Sequence, residues 1–176
     1  MTDFIDKEKI EQAYKLIDNA QYAVISLAKD NEPYGIPISV VRIGDSLYFH
    51  TGQQGQKIDF LNTNSKVNLT FVGEVKVPTN LYDNKEVSQM VADPSKHGKF
   101  VNTVFTTNFE SVIVKGESKE IIDDNQKIEA MRAICQKYTP KMMDYFDIPI
   151  KRSLGITKVF KIEIKDLRLR KKQVKI

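Results

Sequence analysis

The chain has 176 residues, with 41% hydrophobic and 28% charged content, which suits one folded domain large enough to bury a core. Its 27 Lys and Arg against 23 Asp and Glu leave a net charge of only +4, too little by itself to mark a nucleic-acid-binding protein. The single cysteine, Cys135, excludes an internal disulfide framework, and no apolar run approaches the roughly 20 residues that span a bilayer.

The opening "MTDFIDKEKIEQ" carries early acids and no apolar signal core, so a cytoplasmic protein is expected. "DKEKIEQAYKLIDNA" predicts an amphipathic helix over residues 6–20. Ile10, Ala13, Tyr14 and Ile17 share one face, and Asp6 is the candidate N-cap. "YAVISLA" and "YGIPISVVRI" then read as strands around the turn cluster "KDNEP". Pro37 donates no ladder hydrogen bond, so its strand should be an edge, bulged or split. "LYFHT" is a third strand, with Leu47 and Phe49 on one side and Tyr48 and His50 on the other. "QGQKIDFLNTN" has room for a short helix, and "KVNLTFVG" alternates again through Val67, Leu69 and Phe71.

Residues 76–107 show no clear period and read as a lid or a subunit contact. "FESVIVKGESKEII" is a strand bent at Gly116. A helix over 124–138 carries Ile128, Met131, Cys135 and Tyr138 on one stripe, with the acids Asp123 and Asp124 as cap and first-turn charges. In "KVFKIEIKDLRL" the alternation of Phe160, Ile162 and Ile164 slips phase at Leu167 and Leu169, which predicts a bulge or a strand end near Asp166. About six strands, within 22–75 and 108–169, make a mainly β (α+β) single domain over 1–176, a small antiparallel barrel with appended helices.

The densest chemistry lies in "HTGQQGQK". Thr51 and Gln54 stand in capping-box relation, so ordinary turn chemistry accounts for the motif. The same atoms also suit a phosphate. A helix N-terminus offers free amides and partial positive charge, Gly52 and Gly55 allow close backbone approach, Lys57 adds a full charge and Thr51 a hydroxyl. The glycine patterns for nucleoside triphosphates and for dinucleotides are absent.

Here the sequence resembles the FMN-binding split barrels related to pyridoxamine 5′-phosphate oxidase, nearest their nitroimidazole-resistance (Nim-type) branch. The resemblance rests on "YAVISLAKDNEPYGIPISVV", "DSLYFHTGQQGQKIDFLNTNSKVNLTFVG", and "SVIVKGESKEI" followed by a helix ending "KY", in that order. It implies an antiparallel six-stranded split β-barrel with flanking helices, paired as a homodimer with FMN at the interface. It places Pro37, Ile38, Ser39 and Val40 beside the flavin ring, and His50, Thr51, Gln56 and Lys57 near the phosphate and ribityl chain. Ser111 would reach the cofactor from the later strand. Gln56 stands where the oxidases carry arginine, which removes a bidentate donor and leaves more of the phosphate charge to Lys57. The oxidases' C-terminal motifs are absent, so pyridoxamine phosphate oxidation is not expected.

The resemblance thus implies an FMN-dependent oxidoreductase passing electrons from NAD(P)H to a small organic acceptor such as a nitro compound or quinone. The alternative is a non-enzymatic carrier of FMN, haem or a deazaflavin. His50 is the candidate catalytic group, set against a plain hydrogen-bonding role at a strand end. His97 and Cys135 read as a loop residue and a helix-stripe residue, and their spacing makes no metal site. The basic ending "LRLRKKQVKI" reads as a solvated end rather than a nucleic-acid site.

Overall fold

The computed structural model describes residues 7–78 and 81–174. The proposed cap Asp6 lies outside them. Helix α1 (Lys7–Asn19) precedes strands β1 (Ala23–Lys29), β2 (Glu32–Ile38), β3 (Val41–Ile43) and β4 (Ser46–Thr51), then helix α2 (Gln56–Thr63) and strand β5 (Lys66–Lys76). Helices α3 (Asn84–Ala92) and α4 (His97–Val104) lead to strand β6 (Asn108–Ile121) and helix α5 (Asp124–Tyr138). A 3-10 turn over 140–145, helix α6 (Asp147–Ser153) and a second turn over 154–156 precede β7 (Lys158–Lys172).

The strands form one antiparallel seven-stranded sheet in the order β2-β1-β5-β6-β7-β4-β3. This corrects the expected six-stranded barrel. The stretch read as one strand through Pro37 is two, because the ladder stops after Ile38 and resumes at Val41. The halves fall at opposite edges of the sheet, and among the described residues no pairing joins them. The sheet is therefore open. It is also strongly curled, since three Cα–Cα steps limit the gap from Ile38 to Val41 to about 11 Å. Ser39 and Val40 form this seam.

Tight turns set the register on both sides of the seam. Asp30 and Asn31 both take positive φ, at 48° and 65°, as a type I′ hairpin requires between Lys29 and Glu32. That turn makes Glu32, Tyr34, Ile36 and Ile38 the residues bonded to β1, and Pro33, Gly35 and Pro37 face outward. Two prolines thus remove two amides from the free edge of β2, the role anticipated for Pro37.

The alternating faces anticipated from the sequence are present. Ala13 and Ile17 of α1 are buried, as are Leu47 and Phe49 of β4 and Val67, Leu69 and Phe71 of β5. They join Ile58, Phe60 and Leu61 of α2 in the main core, where Phe49 stacks on Phe160 at 5.3 Å between ring centres. A second cluster lies on the other side of β4. Tyr48, Val41 and Val159 pack there against Ala130, Met131 and Ile134 of α5, while Cys135 is half-buried beside them. Asp123 caps α5 by accepting from the Gln126 amide at 2.9 Å.

The β6–β7 register slips between Lys115, opposite Asp166, and Gly116, opposite Ile164, so Lys165 is the bulged residue. This is the slip that Leu167 and Leu169 predict, and both return to the main core beyond it.

Candidate functional site

Strand β4 runs through Thr51, which lies opposite Lys158 of β7. The pairing holds Thr51 in the sheet, and the expected capping box with Gln54 does not form. Helix α2 starts later, at Gln56, with Gly55 as its N-cap at φ 112° and no side-chain cap. Only glycine adopts that backbone without strain, and a Cβ at Gly55 would meet nothing within 4 Å. The Ile58 and Asp59 amides turn back to the Gly55 carbonyl at 2.8 and 3.3 Å. The Gln56 and Lys57 amides have no acceptor among the described residues, so the helix presents free donors to open space.

Lys57 stands in this first turn, half-buried, with its Nζ 6.0 Å from the centre of the Phe49 ring. No carboxylate pairs with it among the described residues, and burial holds its pKa below the ordinary lysine value. The contrast is Lys158, one strand away, which is neutralised by Glu120 at 2.6 Å. A cation that has lost water and gained no counter-ion favours a bound anion.

His50 pairs with Val159, so its side chain lies on the α5 side of β4, whereas Thr51 shares the side of Phe49. Burial, reinforced by the Lys57 charge, pushes the His50 pKa down. The imidazole is therefore neutral near pH 7 and can accept a hydrogen bond. Gln56 donates through Nε2 to Glu32 Oε1 at 3.4 Å, so its amide is directed at a carboxylate on β2. Of the expected Gln56–Lys57 pair, Lys57 alone carries free positive charge.

The seam residues divide between core and surface. Ile38 and Val40 are buried in the main core with Phe49, while Pro37 and Ser39 are exposed. Ser111 is elsewhere. It lies opposite Val72 of β5 and Arg170 of β7, near one end of β7, while His50 lies opposite Val159 near the other. A single chain does not bring Ser111 to Lys57. Its neighbours Val72 and Glu110 line a cavity of about 640 Å³ between α1 and the ends of β5, β6 and β7.

Two features of the site escape sequence reasoning. Gln53 Nε2 donates to the Gly155 carbonyl at 2.8 Å, tying the turn to the segment before β7. At the seam, the Tyr138 hydroxyl accepts from the Val40 amide at 2.9 Å and donates to the Val40 carbonyl at 3.0 Å, and Lys137 Nζ donates to that carbonyl at 2.9 Å. The "KY" ending of α5 was visible as a motif, but no local signal links it to a residue so distant in sequence.

Other candidates are engaged structurally. His97 Nε2 contacts the Val91 carbonyl at 2.9 Å, and Tyr14 donates to Asp45 at 2.9 Å beneath the Arg42 guanidinium. Among the described residues no three His, Cys, Asp or Glu gather as a metal site, and no helix is long and apolar enough to cross a membrane.

The chain matches the family model described as pyridoxamine 5′-phosphate oxidase over residues 9–171. Its fold is similar to that of a candidate 5-nitroimidazole antibiotic resistance protein from Bacteroides thetaiotaomicron. That likeness has TM-score 0.67 and 23% identity, covering 94% of this chain and 84% of the other. An FAD- and haem-binding protein from Mycobacterium smegmatis aligns with TM-score 0.71 and 17% identity over 93% and 71% of the two chains. A flavocytochrome from Azotobacter vinelandii aligns with TM-score 0.69 and 17% identity over 93% and 67%. Among curated protein sequences no relative matches.

Proposed function

Since the chain belongs to the pyridoxamine 5′-phosphate oxidase family, with its model matched over residues 9–171, we propose that it binds a flavin nucleotide at the β4–α2 turn and acts as an oxidoreductase. The observation that carries this reading is Lys57: partly desolvated, without a carboxylate, and at the uncapped start of α2. Those residues fit the terminal phosphate of FMN. Lys57 supplies the charge, the Gln56 and Lys57 amides supply directional donors, and Thr51 supplies a hydroxyl at the end of the strand.

A bound flavin would supply electron transfer between NAD(P)H and a small organic acceptor such as a nitro compound or quinone. The chain's own part is to anchor and shield. Ile38, Val40 and Phe49 belong to the buried core that backs the turn and seam, and neutral His50 would accept a hydrogen bond from phosphate hydroxyl, ribityl chain or substrate. A homodimer completes the proposal, with Ser111 of one copy reaching the flavin held by Lys57 of the other. The remoteness of Ser111 from Lys57 within one chain supports that arrangement.

The second reading is a carrier that holds FMN, haem or a deazaflavin without turnover. It is favoured by the similarity of fold to a protein described as binding FAD and haem. One experiment separates the readings. Purified protein is titrated with FMN, FAD, a deazaflavin and haem while its absorption spectrum is followed, then mixed anaerobically with NADH or NADPH. The enzyme reading expects micromolar or tighter FMN binding and rapid bleaching of the bound flavin. Binding without bleaching selects the carrier, and no flavin binding overturns the site.

A further inference from the structure

We propose that Lys137 and Tyr138 are positioning residues, which pin the seam at Val40 so that Ser39 presents its backbone N–H to the electron-rich edge of the flavin ring. This inference rests on the flavin reading above. It begins with the destination of each amide between Ile36 and Val41. Ile36 and Ile38 occupy bonded positions opposite Ile25 and Ala23, as the alternation from the Asp30–Asn31 turn dictates. Pro37 has no N–H. Val41 closes a bonded pair with Tyr48, counted from the turn between Ile43 and Ser46. The Val40 amide donates to the Tyr138 hydroxyl. Ser39 alone keeps a backbone N–H with no partner among the described residues, and it is exposed.

The seam is held in this state by α5. Val40 is fully buried, so its amide and carbonyl need partners once they leave the ladder. Tyr138 serves both groups, and Lys137 adds a second donor to the carbonyl. Lys137 Nζ also donates to the Ile17 carbonyl at 3.1 Å, in the last turn of α1, where helix carbonyls lack partners of their own. The nearest acid on that side, Asp18, is already bonded through both oxygens to Arg42 at 3.0 and 2.5 Å. Lys137 is thus committed to two carbonyls, which lock α1, α5 and the seam into one unit. With Val40 fixed inward and Ile38 fixed to β1, the Ser39 peptide between them has little freedom left. Its N–H is left without a partner among the described residues.

A purely structural clamp would satisfy Val40 and leave Ser39 indifferent to cofactor, so the test observes the Ser39 amide itself. Protein labelled with 15N-serine gives few amide signals, and Ser39 is the one missing in Ser39→Ala. The probe is FMN, added oxidised and then reduced with dithionite. In the unsubstituted protein the Ser39 amide should move downfield on FMN binding and further on reduction, as a donor to an increasingly electron-rich acceptor does. Tyr138→Phe, and independently Lys137→Met, should at least halve that displacement while the protein still takes up FMN. An unmoved Ser39 signal at saturating FMN overturns the inference alone, and so does a full displacement in both variants. Failure of the unsubstituted protein to bind FMN in equilibrium dialysis overturns the flavin reading as well. If one variant does not fold, the other decides whether the clamp positions Ser39, and the unsubstituted protein alone still decides whether Ser39 meets the flavin.

Discussion

Gly116 lies against Glu163 so closely that a Cβ on the glycine would stand 2.6 Å from the glutamate's carbonyl oxygen, and equally close to Ile162 Cγ2. The contact falls beside the bulge at Lys165, where the two longest strands bend together. Gly116→Ala should therefore push β6 from β7 rather than fill space. The expected cost is about 1–3 kcal/mol, read as a lower midpoint in chemical denaturation. An unchanged midpoint would mean that the bend does not depend on the glycine.

Lys57→Ala removes the one uncompensated cation at the start of α2. FMN binding should weaken by about 1.5–3 kcal/mol, the range for a hydrogen bond to a charged group. Fluorescence titration with FMN measures it directly. Riboflavin, which lacks the phosphate, should be affected far less. Full flavin content in the purified variant would contradict the phosphate assignment.

His50 gives a pH prediction whose sign follows from its cause. Burial first, and the Lys57 charge second, hold its pKa below the ordinary 6.5. The unfolded chain therefore takes up this proton before the folded one. His50's contribution to stability is complete above 6.5, and it declines as pH falls from there through the folded-state pKa. Bound phosphate should reverse the shift upward. The chain has 2 histidines, so His97→Gln leaves one imidazole signal to follow by NMR, with and without FMN. A midpoint at or above the ordinary value in the free protein would contradict the downward shift.

Assembly offers a fourth test. Val72, Val75 and Val77 are exposed at the far end of β5, beside the Ser111 end of β6. Sedimentation at micromolar concentration should give a dimer. Mixing Lys57→Ala with Ser111→Ala protein should restore some sites and leave others doubly defective, as a shared site requires. A stable monomer that binds FMN fully would end the interfacial proposal.

Much of the fold could be read where one residue imposes a hard rule. Pro37 cannot donate, so a broken edge strand follows, and the phase slip at Leu167 and Leu169 calls for a bulge or a strand end, of which the continuing β6–β7 ladder selects the bulge. The count of strands failed for a related reason. Proline predicts interruption, but not that the two halves go to opposite edges, which depends on how far the sheet curls. Helix α2 falls inside the stretch the sequence offers, but the Thr51 cap does not form, because the Thr51–Gln54 pattern is local and the β4–β7 ladder that overrides it is not. In residues 76–107, Asp83 and Glu86 form a full capping box, with contacts of 2.8 Å in both directions. That Asp-x-x-Glu signal was legible and would have located α3. The Val40 clamp was not, because its donors lie on a helix far along the chain and only tertiary packing brings them together.

Pro33 and Pro37 also bear on life at high concentration. A neighbouring molecule that tries to stitch its backbone onto the margin of β2 finds only Gly35 able to donate. Backbone pairing across that margin is therefore disfavoured, and the opposite margin, β3, is only 3 residues long. Neither edge of the open sheet thus offers a long backbone template on which a fibril could extend.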